Sequence, residues 1–342
     1  MGRPTLESRQ WRAARYESSV RHRGDSTLSN EQYSHKPVLF EACIDGLNIK
    51  PSGRYLDGTF GRGGHSRGIL EKLDQDGELW VVDRDPEALA VADALAAEDS
   101  RVKVCRGSFA DLAEMIDLDQ YGASFDGVLF DFGVSSPQLD DARRGFSFLR
   151  DGPLDMRMDP TSGISAAEWL NTAAPADIAA IFHRYGEERY TRRIVDAIIE
   201  QREEEPLETT KQLAKLVDLA VPKRSRQIGK HPATRVFQAT RIFINDELGA
   251  IETMLPATLK LLVPQGRLVI ISFHSLEDRI IKRFIRDQER GKQLPRDLPV
   301  MHKDTEGTLK ALGKAIKGSA EDALENSRAR SAVLRIAERT GI

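Results

Sequence analysis

The sequence predicts an α/β fold: a mostly parallel, Rossmann-like sheet interrupted by an all-helical insert. Three observations carry this reading. Short apolar strands alternate with helices from residue 54 onward, a glycine-rich loop separates the first strand from its helix, and more than 130 mostly helical residues precede the last strand of the same kind.

Residues 54–58 form the first strand, followed by glycines and a helix through Ile69, Leu70 and Leu73. Residues 79–83 form the second, and the next helix, over 85–97, has Pro86 in its first turn, where its missing N–H costs nothing. Residues 102–105 and 127–131 are the third and fourth strands, and 268–272 the fifth. Between the last two, Ser165 caps a helix over 166–171, Pro175 opens one that Gly186 stops, and Ile194, Val195, Ile198 and Ile199 stripe a third. Thr209 or Thr210 caps a fourth that ends before Pro222. A longer helical stretch runs from about 234 to 255 and resumes after Pro256 to 263. Residues 1–33 are polar without periodicity and read as a disordered basic arm.

The 342 residues suffice for about two domains. No apolar run approaches the ~20 residues that span a bilayer, and no apolar segment follows the arginine-rich start as in a secretory signal. Two cysteines, Cys43 and Cys105, are too few for a disulfide framework or a four-ligand zinc site, so a cytoplasmic location is expected. The net charge of -3 speaks at first against a nucleic-acid partner. It is, however, segregated: residues 1–24 carry +4, 222–241 carry +6, 279–296 carry +5 and 326–339 carry +3, leaving -21 on the remainder. Four basic runs on an acidic chain point to an anionic partner.

The loop at 57–66 holds the best-defined chemistry. Glycines between a strand and a helix let the backbone approach a ligand and aim amides at it. Asp83 ends the next strand, 20 residues beyond Gly63, where a carboxylate can accept two ribose hydroxyls; Asp85, before Pro86, is the better helix cap. The loop departs from the dinucleotide glycine fingerprint of nicotinamide enzymes, because position 66 is Ser and the helix opens on His65. Asp57 before the glycines and Asp131 at the end of the fourth strand suit S-adenosylmethionine, which brings an ammonium and a sulfonium and no phosphate. Phe109 sits where an adenine could stack, or where a core phenylalanine would. Asp131 is expected beside the transferable group, because the carboxyl ends of the strands form the binding crevice of an open α/β sheet.

At these residues the chain resembles the bacterial small-subunit ribosomal RNA cytidine N4-methyltransferase family, known as MraW or RsmH. The likeness runs from His35 to Arg335 and includes the strings beginning at Asp57, Asp131, Asp151 (Asp-Gly-Pro-Leu-Asp-Met-Arg-Met-Asp), Phe237, Asn245, Ser272 and Asn326. The arginine-rich arm, and Gly318 and Ser327 where prolines are frequent, are departures. The resemblance implies a class I methyltransferase fold with a helical insert, S-adenosylmethionine as cofactor, and the exocyclic amine of a decoding-centre cytidine in 16S ribosomal RNA as target. It places Gly63, Gly64, His65, Asp83, Phe109, Asp131 and Gln138 at the cofactor; only Gln138 is new to the residue-based reading. The methyltransferase domain is expected over 34–140 and 246–342, with a substrate-recognising helical domain over 141–245.

Cytosine N4 is a weak nucleophile because its lone pair is delocalised into the ring. Asp131 is the first candidate to accept an amine proton or to orient the cofactor, and Asp57 is the second. Ser135 and Ser136 are placed to meet the base edge, and Phe132 to stack on the base or to pack under its loop. Lys223, Arg224, Arg226, Lys230 and Arg235 form the expected RNA-binding cluster, in a surface loop facing the cleft. His274 and Glu277 read as a helix cap rather than a metal site, and no metal is expected. The partner is 16S ribosomal RNA, within the small subunit or its precursor; a homodimer is left open. The rival readings are a nicotinamide oxidoreductase, a non-catalytic RNA-binding factor and a small-molecule methyltransferase, which would not need +6 in twenty residues.

Overall fold

The computed structural model describes residues 37–226, 229, 231–291, 306–319, 322 and 326–341. The predicted basic arm and Lys230 lie outside them.

Helix α1 (Phe40–Leu47) leads into strand β1 (Arg54–Asp57), helix α2 (Gly64–Leu70), strand β2 (Glu78–Asp83), helix α3 (Pro86–Glu98) and strand β3 (Val102–Arg106). Asp85 caps α3 by accepting the Glu87 N–H at 3.0 Å, with Pro86 next to it, as its sequence signature dictates. Two single-turn helices, α4 (Leu112–Met115) and α5 (Leu118–Tyr121), precede strand β4 (Phe125–Asp131) and the short helix α6 (Ser136–Asp140). Helices α7 (Ala166–Thr172), α8 (Pro175–Gly186), α9 (Thr191–Glu204), α10 (Thr210–Ala220) and α11 (Ala233–Ile244) follow. Ser165 and Thr209 both close capping boxes, with Glu168 and Gln212, which settles the choice between Thr209 and Thr210. Helix α12 (Glu247–Leu261) returns to strand β5 (Leu262–Ser272), then helix α13 (Ser275–Arg290), strands β6 (Leu309–Ala311), β7 (Ile316–Lys317) and β8 (Val333–Arg339).

The break between α11 and α12 corrects the sequence reading. The chain breaks at Asn245 and Asp246, not at Pro256, which stays inside α12. Asn245 explains the position. Its side chain accepts the Met158 N–H at 2.8 Å and donates to Met156 O at 2.7 Å and Arg241 O at 2.9 Å. Asp246 then takes a left-handed φ of 47°, which ends the α11 ladder. Leu262 and Val263, expected in the helix, instead begin β5.

The sheet order is β3-β2-β1-β4-β5-β8-β6, with β7 also pairing β8. β1 to β5 pair in parallel and β8 runs antiparallel to β5, the mostly parallel sheet that the sequence predicts. Helices cover both faces. Cys43, Leu47, Ile69 and Leu95 pack on one, and Leu112, Ile251, Leu255 and Ile281 on the other. A third cluster, including Trp169, Phe182, Ile194, Leu213 and Phe237, belongs to α7–α11. All five parallel strands end at one rim, and the glycine loop, Asp83 and Asp131 stand on it.

Candidate functional site

The loop after β1 is held by Asp57, which is 1% exposed. Its Oδ1 accepts the Thr59 N–H at 3.1 Å and its Oδ2 accepts the Ser66 hydroxyl at 2.6 Å, so one carboxylate ties both ends of the turn. Burial pushes its pKa up, against the hydrogen bond from Ser66. Gly63 adopts φ 75° and caps α2; a Cβ there would lie 2.7 Å from the Phe60 ring. Gly61 is also left-handed, at φ 56°, but a Cβ there would meet nothing within 4 Å. The loop is thus a backbone cradle whose open side is at Gly61.

Asp83 fixes the cradle to β2. Its Oδ2 accepts the Gly61 N–H at 2.8 Å and its Oδ1 the Asp85 N–H at 2.9 Å, and burial raises its pKa. Asp131 is fixed from the other side, its backbone N–H donating to Thr59 Oγ1 at 2.6 Å. Its side chain is 18% exposed and lies with Oδ2 3.8 Å from His65 Nδ1. Oδ1 is buried and has no hydrogen-bond partner among the described residues. Burial holds the Asp131 carboxyl above the ordinary aspartate range, opposed by His65 and Arg328. His65 is itself buried, its Nε2 3.2 Å from Val38 O and its Nδ1 edge toward Asp131.

Five predicted residues, Gly63, Gly64, His65, Asp83 and Asp131, therefore stand on one rim. Phe109 adjoins them, half-buried, with its ring 5.9 Å from Phe130 and 5.4 Å from Phe132. Phe132 is 2% exposed and packs under its loop, so it offers no face to a base. The polar ends of Gln138 are both engaged: Oε1 accepts the Ser135 N–H at 2.9 Å and Nε2 donates to Asp85 Oδ2 at 2.6 Å. Ser135 spends its hydroxyl on capping α6, and Ser136 opens that helix. Arg144 joins Gln138 on Asp85, at 2.9 Å. Gln138 thus braces the loop after β4 against the start of α3.

The basic cluster is only partly free. Lys223 and Arg224 are exposed on a single 3-10 turn, Lys223–Ser225. Arg226 is folded back on α10, with Nη1 2.9 Å from Asp218 Oδ1 and Nη2 donating to Asp218 O. Arg235 donates to Glu187 O at 3.1 Å. A groove of about 550 Å³ runs from Arg224 past Tyr190, His231 and Arg235 to His274 and Ser275, joining the basic turn to the start of α13. His274 and Glu277 form the expected capping box, with Glu277 Oε2 accepting the Phe273 and His274 N–H groups. Glu247 lies close enough to complete a three-ligand cluster with them, but Arg241 takes both its oxygens at 2.7 and 2.8 Å. That guanidinium supplies the positive charge a cation would bring.

Sequence reasoning assigned no role to Arg328, whose guanidinium carbon is 4.5 Å from the Phe273 ring centroid. Its only signal was its place in a basic run and in the string starting at Asn326.

The MraW methylase family model matches residues 32–340. Among solved structures, the chain is similar to a provisionally assigned rRNA-methylase from Clostridium thermocellum at 9% identity and a TM-score of 0.41, covering 89% of this chain and 97% of that one. An rRNA methylase from Streptococcus thermophilus gives 9% and 0.39, with 87% and 93% covered. A provisionally assigned Streptococcus mutans methyltransferase in complex with SAH gives 10% and 0.39, with 87% and 96% covered. Nothing about substrate follows from likenesses this distant.

Proposed function

The chain belongs to the MraW methylase family of S-adenosylmethionine-dependent methyltransferases, and from that premise we propose that it methylates the N4 amine of a decoding-centre cytidine in 16S ribosomal RNA. The observation that carries this reading is Asp131: a carboxylate at the end of β4, beside the glycine cradle, with a buried oxygen that has no partner among the described residues.

The cradle fits the cofactor. A Cβ on Gly61 would meet nothing within 4 Å, and Asp83 ends β2 with each oxygen accepting one backbone N–H, which leaves a lone pair on each for ribose hydroxyls. The half-exposed ring of Phe109 offers the adenine a face. When bound there, S-adenosylmethionine would supply an electrophilic methyl group on a sulfonium, a good leaving group. The remaining work falls to the chain. Asp131 accepts a hydrogen bond from the target amine, which localises the nitrogen lone pair, and takes the amine proton as the new C–N bond forms. Its raised pKa makes it a better proton acceptor than an exposed aspartate. His65 lies beside the carboxylate, its Nδ1 3.8 Å from Oδ2. Asp57, with both oxygens engaged, shapes the loop and is not the base.

RNA is proposed to enter along the groove beside α7–α11, residues 141–245 serving as the recognition insert. Lys223 and Arg224 meet phosphates and Arg235 lies further along. Nucleoside mass spectrometry of 16S ribosomal RNA from a deletion strain tests the reading. N4-methylcytidine should disappear and return with the wild-type gene but not with Asp131→Ala. Its persistence in the deletion strain overturns the reading. Calorimetric binding of NADH in place of S-adenosylhomocysteine would favour the oxidoreductase.

A further inference from the structure

We propose that Arg328 reads the acceptor edge of the target base opposite Asp131, and so helps to select a base that carries an amine beside a ring acceptor. The inference rests on the methyltransferase reading above and deepens it.

Arg328 sits in the short 3-10 turn Ser327–Ser331, which leads directly into β8. Val333 of β8 pairs with Ser272, and Ile271 pairs with Asp131, so this turn stands over the same rim as the β4 carboxylate. The Asn326 side chain accepts the Arg328 backbone N–H at 3.1 Å and anchors the turn. The guanidinium lies over Phe273, whose Cδ2 would be 3.5 Å from a Cβ on Gly133, two residues beyond Asp131. Arg328 is half-buried, yet among the described residues its guanidinium has neither a hydrogen bond nor an ion pair. Asp131 and Glu277 attract it and Arg241 repels it, while burial disfavours its charge.

A planar cation with five N–H donors, partly withdrawn from water and unpaired among the described residues, is open to a ligand that supplies acceptors. Asp131 Oδ1 is the complementary orphan, an acceptor without a donor. One acceptor and one donor fork on one rim match a base edge that offers an amine followed by acceptors. Cytosine offers N4–H, then N3 and O2. Uracil offers an oxygen and then N3–H, which sets acceptor against Asp131 and donor against Arg328. Adenine offers the amine and N1 but lacks the last acceptor. The Phe273 ring, 4.5 Å away, supports the planar fork, which a lysine could not reproduce.

The test uses the full-length protein with unmethylated small-subunit ribosomal RNA, both free and in assembled subunits, and follows methyl transfer from labelled S-adenosylmethionine. Arg328→Met should lower kcat/KM roughly ten- to hundredfold, the range expected of one good base-edge contact. Its affinities for S-adenosylhomocysteine and for RNA should stay within about twofold of wild type. Arg328→Lys, which keeps the charge and loses the fork, should recover little of the loss. Unchanged kcat/KM in Arg328→Met overturns the inference. So does a weaker RNA affinity with a salt slope reduced by about one charge, which would make Arg328 a phosphate contact. A loss of S-adenosylhomocysteine binding or of thermal stability in both variants also overturns it, by making the residue structural. A wild-type enzyme that forms no N4-methylcytidine overturns the underlying function instead, before any variant is compared.

Discussion

Gly61→Ala and Gly63→Ala form a matched pair in which backbone strain and steric clash separate. Both positions are left-handed, at φ 56° and 75°. A non-glycine residue there costs about 1–2 kcal/mol. At Gly61 a Cβ meets nothing within 4 Å, so strain is the whole penalty. At Gly63 the new Cβ would lie 2.7 Å from Phe60 Cζ and 2.8 Å from Cε2, about 0.7 Å short of the 3.4 Å where ordinary contact begins. Phe60 has little room to yield: it is 3% exposed, and its N–H is bonded to Val82 O at 3.0 Å. Overpacking of this kind adds about 1–3 kcal/mol, for a total near 2–5 kcal/mol. Denaturant unfolding should therefore place Gly63→Ala below Gly61→Ala by the clash alone, with both below wild type. Calorimetry with S-adenosylhomocysteine should show a loss of at least about tenfold for Gly63→Ala, because the α2 N-terminus moves with the ring. Equal unfolding midpoints for the two variants would refute the clash argument. Wild-type cofactor affinity in Gly63→Ala would refute the placement of the cradle.

Other outcomes follow from the structure. Asp131→Asn should cut kcat about 10²–10⁴-fold while S-adenosylhomocysteine still binds. Because the Asp131 pKa is raised, wild-type kcat/KM should rise with pH through a limb above the ordinary aspartate value, and a pH–rate profile of Asp131→Asn should lack that limb. Lys223→Ala with Arg224→Ala should flatten the salt dependence of RNA binding by about one to two charges; Arg226→Ala should instead lower the melting temperature, because Arg226 is already paired with Asp218. Arg144→Met leaves Asp85, 4% exposed, without its cation and should cost about 3–5 kcal/mol in a denaturation titration. Glu277 is buried, which raises its pKa, but His274 and Arg241 more than offset this and hold it low. Its stabilisation is therefore present above the ordinary glutamate value and lost as pH falls through the lowered one, so Glu277→Gln should flatten the acid side of a stability–pH curve.

What could be read from the residues were features decided within a few positions of the chain. Asp85 before Pro86, Ser165 with Glu168, and Thr209 with Gln212 specify their helix starts locally, and each cap is where its signature lies. The strands were legible because both faces of the sheet are covered, which leaves near-continuous apolar runs such as Leu79–Val82. Asp83 and Asp131 were legible for a topological reason: residues that end parallel strands share a rim.

Where the reading failed, distant partners decided. The break at Asn245 depends on Met156 and Met158, nearly ninety residues earlier, so a proline inside α12 gave the stronger but wrong local cue. The pairing of Arg226 with Asp218 is likewise invisible in a basic run, and of the two roles left open for Phe132 the packed one is set by Phe109 and Phe130. The sequence by itself determined the strand-loop-helix order, the cradle and the acids on its rim, because these follow from periodicity, caps and glycine. Only the tertiary structure decided which polar groups remain unspent: Asp131 Oδ1 and the Arg328 guanidinium are among those left unpaired within the described residues, while Gln138 and Asp57 are consumed by the fold. Hydrogen-bond satisfaction is a count over all neighbours in space, and a linear sequence does not contain that count.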